Sequence, residues 1–358
     1  MISSSAAPFS LARSDSEPDL PSPGDDQCSL ECEEDGSSLG LPEASGLERC
    51  AEPAPQPFVS SPVFIAEDAR IAIKVELERQ SDLCYVPRQP AAIHFGSTDR
   101  PRIISWLVEV VTALGLSGNT LHTAVSLLDR FVANTETMPP EHVLQLLALA
   151  CISLAAKHEE VSQYRPDEWV HLAVDEHRRP LYHRDDLKRM EWLLLETVDW
   201  RIRVPNTLTF LRHYHNALMN DADAWAEVAR DDPRRAAAFD TCANFMADMS
   251  LLYDGFLPYS YSTVAIACLV LAEWNLKFAD AGEAGGAAAP PQVRTVASLV
   301  ALTRDADSTM LAPNLPICVE ALHQLYSQVA PTGPDGQPPA GTPLGLLAPV
   351  VARYAPRV

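Results

Sequence analysis

The chain has 358 residues, 47% of them hydrophobic, and eight cysteines. Its formal net charge of -21 and pI near 4.8 exclude a general phosphate-binding surface, because nucleic-acid binders need a basic footprint. No run of 18 apolar residues marks a membrane span, no basic-then-apolar N-terminus marks a signal peptide, and cysteines without CxxC spacing read as reduced core residues rather than a disulfide framework.

Residues 1–60 are rich in Ser, Pro, Asp and Glu, so they bury too little surface to offset their ordering entropy and are expected to be disordered. Within them lies an LxCxE sequence, Leu30, Cys32 and Glu34. An extended peptide presents these three on one side, two apolar anchors and a carboxylate suited to a groove. The bland alternative is an acidic tail with an incidental cysteine.

From Phe64 to Gln80, Ile65, Ala69, Ala72, Ile73 and Leu77 recur at helical spacing. Ser97, Thr98 or Asp99 can cap the next helix, with Pro101 in its first turn and Ile103, Ile104, Trp106, Leu107, Val110 and Val111 along it. Gly115 to Asn119 is a turn, and Leu121, Ala124, Val125, Leu128 and Val132 mark a second helix. Pro139 and Pro140 open a third, Val143 to Lys157, which is apolar nearly all round and therefore buried on most sides. Pro166 starts a short fourth helix around Trp169, and a fifth runs from about His183 to Val198. Five helices with short connections fit one all-α domain.

Asn206 caps a further helix holding Leu208, Phe210, Leu211 and Leu218, followed by Phe239–Leu252 and Ser262–Trp274. The Ala/Gly-rich stretch from Ala279 to Pro291 reads as an insertion loop, Val293–Leu302 and Asn314–Val329 as last helices, and the Pro/Gly-rich tail after Ala330 as loose. Ala148-x-Ala150-Cys151-x-x-Leu154-Ala155 returns as Ala265-x-Ala267-Cys268-x-x-Leu271-Ala272, which points to a duplicated helical domain. The expected division is 1–63, 64–203, 204–330 and 331–358.

Four charges stand where apolar residues belong. Lys157 continues the Leu146/Ala150/Leu154 stripe, Glu191 interrupts the stripe of the fifth helix, Asp129 follows Val125 at i+4, and Arg100 opens its helix. A charge inside an apolar stripe needs a partner or an exit to water. The signs allow Arg100 with Asp129 and Lys157 with Glu191; the alternatives are a snorkelling lysine at a helix C-terminus and a solvated first-turn arginine. Enzyme motifs fail on inspection. His158-Glu159-Glu160-Val161-Ser162 lacks the second histidine of a zincin, Met310 replaces the glycine of a calcium loop beginning at Asp305, and His213 and His215 have no partners at metal spacing. No catalytic residue, cofactor or metal is expected.

Arg100 with Ile104–Val110, Leu127-Leu128-Asp129-Arg130-Phe131, Leu146–Glu160 and Arg189–Leu194 resemble, in order and spacing, the four signature pieces of the cyclin box. Leu146–Lys157 with Glu159, and Thr197–Arg201 with Val204-Pro205, resemble D-type cyclins of the plant lineage, as does an N-terminal LxCxE. The resemblance implies two tandem five-helix cyclin folds and a non-enzymatic subunit that binds and activates a Ser/Thr cyclin-dependent kinase. It implies kinase contacts by Lys157 and Glu191 and internal bracing by Arg100 and Asp129. It implies docking of a retinoblastoma-type pocket protein through Leu30, Cys32 and Glu34, promotion of G1/S entry, and residence in the nucleus, with kinase inhibitors as further partners. A substrate-docking groove would use Ile103, Trp106, Glu109 and Gln145, although Asp99 and Arg102 put charge where many cyclins carry Met and Ile. Other readings are a transcription-linked cyclin-fold protein and a pocket-protein scaffold that activates no kinase. Ser22-Pro23, Ser61-Pro62 and Thr342-Pro343 are minimal proline-directed phosphorylation sites.

Overall fold

A computed structural model describes residues 62–82, 99–135, 139–162, 164–174, 177, 179–220, 225, 232–281, 314–329 and 344–354. The LxCxE residues, the expected disorder of 1–60, the Ser and Thr of the three proline-directed sites and the helix expected at 293–302 lie outside these. The helices are α1 Pro62–Ser81, α2 Asp99–Leu114, α3 Gly118–Asn134, α4 Glu141–Glu159, α5 Pro166–Val170, α6 Arg184–Thr197, α7 Thr207–Asn220, α8 Pro233–Leu251, α9 Tyr261–Ala281, α10 Leu315–Val329 and α11 Leu344–Tyr354, with a short 3₁₀ turn at Asp254–Phe256.

The two helices that share the small-residue pattern are the hubs. α4 is surrounded by α3 and α6, with α2 and α5 beyond, and α9 by α7, α8 and α10. Ala148, Ala150, Cys151 and Ala155, and their counterparts Ala265, Ala267, Cys268 and Ala272, are at most 1% exposed. Small side chains at these positions let neighbouring backbones approach closely. Each half is thus a bundle around a central helix, and the chain holds two tandem all-α repeats of the same design.

Local signals set the ends. Ser117 accepts from Thr120 N and opens α3; Glu160, just past α4, accepts from Ser117 N at 2.7 Å, so the exit of one helix satisfies the entry of another. Asn206 caps α7 through Thr209 N at 2.9 Å. Gly115 takes φ +66 after α2, a conformation that penalises a Cβ.

Two expectations are corrected. The tail after Ala330 is not loose throughout: Leu344–Tyr354 is a helix whose Leu347 and Val350 are buried against the rest of the fold. The insertion loop does not begin at Ala279, since α9 continues to Ala281. Ile103 is 4% exposed and packs in the core. In addition, α1, grouped by sequence with the first repeat, packs on α7 of the second. Its Gln80 exchanges hydrogen bonds with Ser262 of α9, and its buried Glu76 pairs with Arg203 at 3.2 Å.

Candidate functional site

Both ion pairs anticipated from spacing form. Arg100 is 2% exposed, and its Nε and Nη2 donate to the two carboxylate oxygens of Asp129 at 2.8 Å each. Its Nη1 donates to the Leu251 carbonyl at 2.8 Å and to Asp254 Oδ1 at 3.0 Å. Burial pulls the guanidinium down, but Asp129 and then Asp254 outweigh it, and the net shift is upward. One arginine of the first repeat is therefore satisfied half by its own repeat and half by the second. This is a brace inside the fold, not a surface contact.

Lys157 Nζ donates to both oxygens of Glu191, at 2.6 and 2.7 Å, and Ser153 Oγ donates to the same carboxylate at 2.6 Å. The lysine is 38% and the glutamate 11% exposed at the side chain. The pair joins the C-terminal turn of α4 to the middle of α6. Glu191 is held from beneath by a buried serine and capped by a lysine that reaches solvent. The result is a fixed polar contact where the end of α4 meets α6.

Three large apolar side chains of α6 and the turn after it are exposed. Trp192, Leu193 and Trp200 are 55%, 46% and 56% exposed. The two tryptophans meet edge-on at 5.2 Å, and Trp192 Nε1 donates to Glu196 at 2.8 Å. Trp200 sits in a strained turn, with Asp199 at φ 52 and Trp200 at φ 59. For non-glycine residues the left-handed region costs roughly 1–2 kcal/mol each, and such outliers concentrate at functional sites. Arg130, 4% exposed, holds this turn by donating to the carbonyls of Arg201 at 2.6 Å and Val198 at 3.2 Å. Burial lowers its pKa to about 10, still charged at neutral pH.

Sequence reasoning missed Trp192, Trp200 and Arg130. A signal was available for the first: Trp192 lies off the Leu187/Met190/Leu194 stripe, so a large aromatic stands on the polar face of an amphipathic helix. The turn strain of Trp200 and the grip of Arg130 have no sequence signature.

Of the groove residues, Trp106 is half-buried against the core, Glu109 is exposed on α2 with its carboxyl raised by partial desolvation, and Gln145 is half-buried on α4 with Oε1 unpartnered among the described residues. The charges of Asp99 and Arg102 approach each other to 3.9 Å. Among the described residues, no group of three His, Cys, Asp or Glu is arranged to hold a metal. Burial raises the thiols of Cys151, Cys268 and Cys318, which leaves them poorly reactive. No described helix is long and apolar enough to cross a membrane.

Residues 69–203 match the family described as "Cyclin, N-terminal domain" and residues 205–290 that described as "Cyclin, C-terminal domain". Among curated proteins the chain is 30% identical over 241 residues to Cyclin-A1-2 of Oryza sativa subsp. japonica, covering 67% of this chain and 43% of that protein. It is 32% identical over 181 residues to Cyclin-A2-2 of Arabidopsis thaliana, covering 51% and 38%. The match thus spans about two fifths of the length of these relatives. Among solved structures, a viral cyclin from herpesvirus saimiri aligns with a TM-score of 0.48 at 16% identity, over 72% of this chain and 99% of that one.

Proposed function

The chain belongs to the cyclin family, and from that premise we propose that it is the regulatory subunit that activates a Ser/Thr cyclin-dependent kinase. The observation that carries this is the partly exposed Lys157–Glu191 pair, held by Ser153, with Glu191 on the same helix as exposed Trp192 and Leu193 and followed by exposed Trp200. The rings and Leu193 supply apolar area for a helix face, and the partly exposed ion pair presents charge to that helix's polar groups. Two tryptophans in contact at such a surface are the kind of anchor that dominates binding energy.

The partner surface that fits is the mobile αC-type helix of a kinase, whose position completes the catalytic Lys–Glu pair. This chain contributes no reacting group; it shifts a population. Moving a kinase from almost wholly inactive to almost wholly active requires about 5.5 kcal/mol of preference for the active conformer. A rigid site meets that demand better than a floppy one, because a strained but fixed turn carries no ordering cost at the moment of binding.

The test is stimulation of a monomeric cyclin-dependent kinase by the purified chain, with a pocket-protein substrate. Lys157→Ala combined with Glu191→Ala should lower stimulation at least tenfold, and Trp200→Ala should weaken kinase affinity while the chain stays folded. No stimulation by the wild-type chain, or full stimulation by the double variant, rejects the reading; pocket-protein binding without stimulation favours the scaffold.

A finer proposal concerns the target. Leu30, Cys32 and Glu34 support docking of a retinoblastoma-type pocket protein, and with it a D-type role at G1/S in the nucleus. This rests on sequence alone: the relatives quoted above are A-type and do not carry it. A pull-down comparing Cys32→Ala with wild type tests the motif, and unchanged capture of the pocket protein sinks it.

A further inference from the structure

α11 comes from the far C-terminal end, yet it is the principal neighbour of α2, the helix that carries Arg100, Trp106 and Glu109, and it also packs on α8. Its apolar anchors are Leu347 at 1% and Val350 at 0% exposure, three residues apart. Its last turn reads a buried carboxylate. Asp248 of α8, 2% exposed at the side chain, accepts from Tyr354 Oη at 2.8 Å and is paired with Arg353 Nε at 3.3 Å; its other oxygen faces His122 Nε2 of α3 at 3.0 Å. The Tyr354 ring meets Phe245 of α8 edge-on at 5.5 Å.

The helix that makes these contacts is intrinsically weak. It has 11 residues with Pro349 inside, so it lacks one backbone donor and is shorter than an isolated helix needs to be in water. It is helical because it is docked. The polar network beneath it is only partly satisfied: His122 Nδ1 and Arg353 Nη1 are buried without a hydrogen-bond partner among the described residues. A half-satisfied buried network stabilises less than a complete one. Specific anchors combined with weak intrinsic helicity describe an element whose docking is marginal, and such elements are the ones that open below the global unfolding free energy.

We propose that Leu344–Tyr354 is a clasp: a C-terminal helix that docks in cis into a groove formed by α2 and α8, holds α2 in place, and detaches while the rest of the fold persists. The groove recognises two apolar residues three apart followed by Arg-Tyr, and any helix that displaces the clasp in trans must present that same order to Asp248. This goes beyond kinase activation and stands or falls without it.

The experiment uses the full chain with a protease site placed in the Pro/Gly-rich stretch 330–343, which is cut after folding. A fluorescently labelled peptide of residues 344–358 should be ignored by the uncut chain, whose own clasp is present at high effective concentration, and should exchange into the cut chain. The same peptide carrying Tyr354→Phe and Arg353→Gln should bind at least tenfold more weakly. In parallel, hydrogen exchange on the uncut Val350→Asp variant should accelerate at least tenfold in α2 while α4 and α9 keep their protection. Three results overturn the proposal: labelled peptide that binds cut and uncut chain alike or neither, unchanged α2 exchange in Val350→Asp, or loss of protection in α4 and α9 as well, which would make α11 part of the global core.

Discussion

Arg100 shows how one residue reads differently once its surroundings are known. As a first-turn charge it has an easy route to water; in the fold it is buried with four hydrogen bonds, two of them to groups more than 150 positions away in sequence. Removing one partner of such a pair leaves the other charge stranded, so Arg100→Ala should cost about 3–5 kcal/mol in urea unfolding. Arg100→Lys should recover little of it, because a point charge cannot reproduce a bidentate fork. His215 gives a pH-dependent counterpart. It packs against Trp225 and Phe239, and burial lowers its pKa despite the pull of Asp240. The unfolded chain then binds the proton more readily, so stability present above the ordinary histidine pKa near 6.5 is lost as pH falls through the lower folded value. His215→Gln should flatten the fall in urea midpoint between pH 7 and pH 5, and an unchanged slope would count against this account.

At the scale of the element, α4 and the turn after α6 obey opposite rules. In α4 the small residues are structural: Ala150 is fully buried at the helix junction, and Ala150→Leu should destabilise by about 1–3 kcal/mol through overpacking, read as a lower melting temperature. In the turn, strain is retained next to the exposed tryptophans. Asp199 holds φ 52 without a glycine, so Asp199→Gly should stabilise the chain by up to about 1 kcal/mol. A drop in melting temperature for that variant would show that the left-handed turn is not strained. The helices themselves were largely legible, since periodicity, caps and prolines mark α2 to α7 within a few residues. The tail helix was not. Its composition, Pro349 included, argues against a helix, and only the groove between α2 and α8 reverses that preference.

At the scale of the whole molecule, the two repeats are joined by buried polar contacts rather than by apolar area alone. Arg100 reaches Leu251 and Asp254 of the second repeat, and Asp248 of the second reaches His122 of the first. Opening that seam would strand a guanidinium and a carboxylate together. The repeats should therefore unfold in one calorimetric transition, and Arg100→Ala, which removes one of these links, should broaden or split it; two resolved transitions in the wild-type chain would contradict the coupling.

Sequence alone determined the duplicated all-α plan and the buried central helices, and its charges allowed Arg100 with Asp129 and Lys157 with Glu191 while leaving solvated alternatives open. These depend on periodicity and on the cost of an unpaired charge, both of which are local or nearly so. Tertiary structure alone decided that Ile103 faces the core, that Trp192 and Trp200 form an exposed pair beside Glu191, and that a Pro-containing tail folds back onto α2. Those outcomes follow from what each side chain meets across distant segments, and no pattern along the chain records which neighbours will arrive.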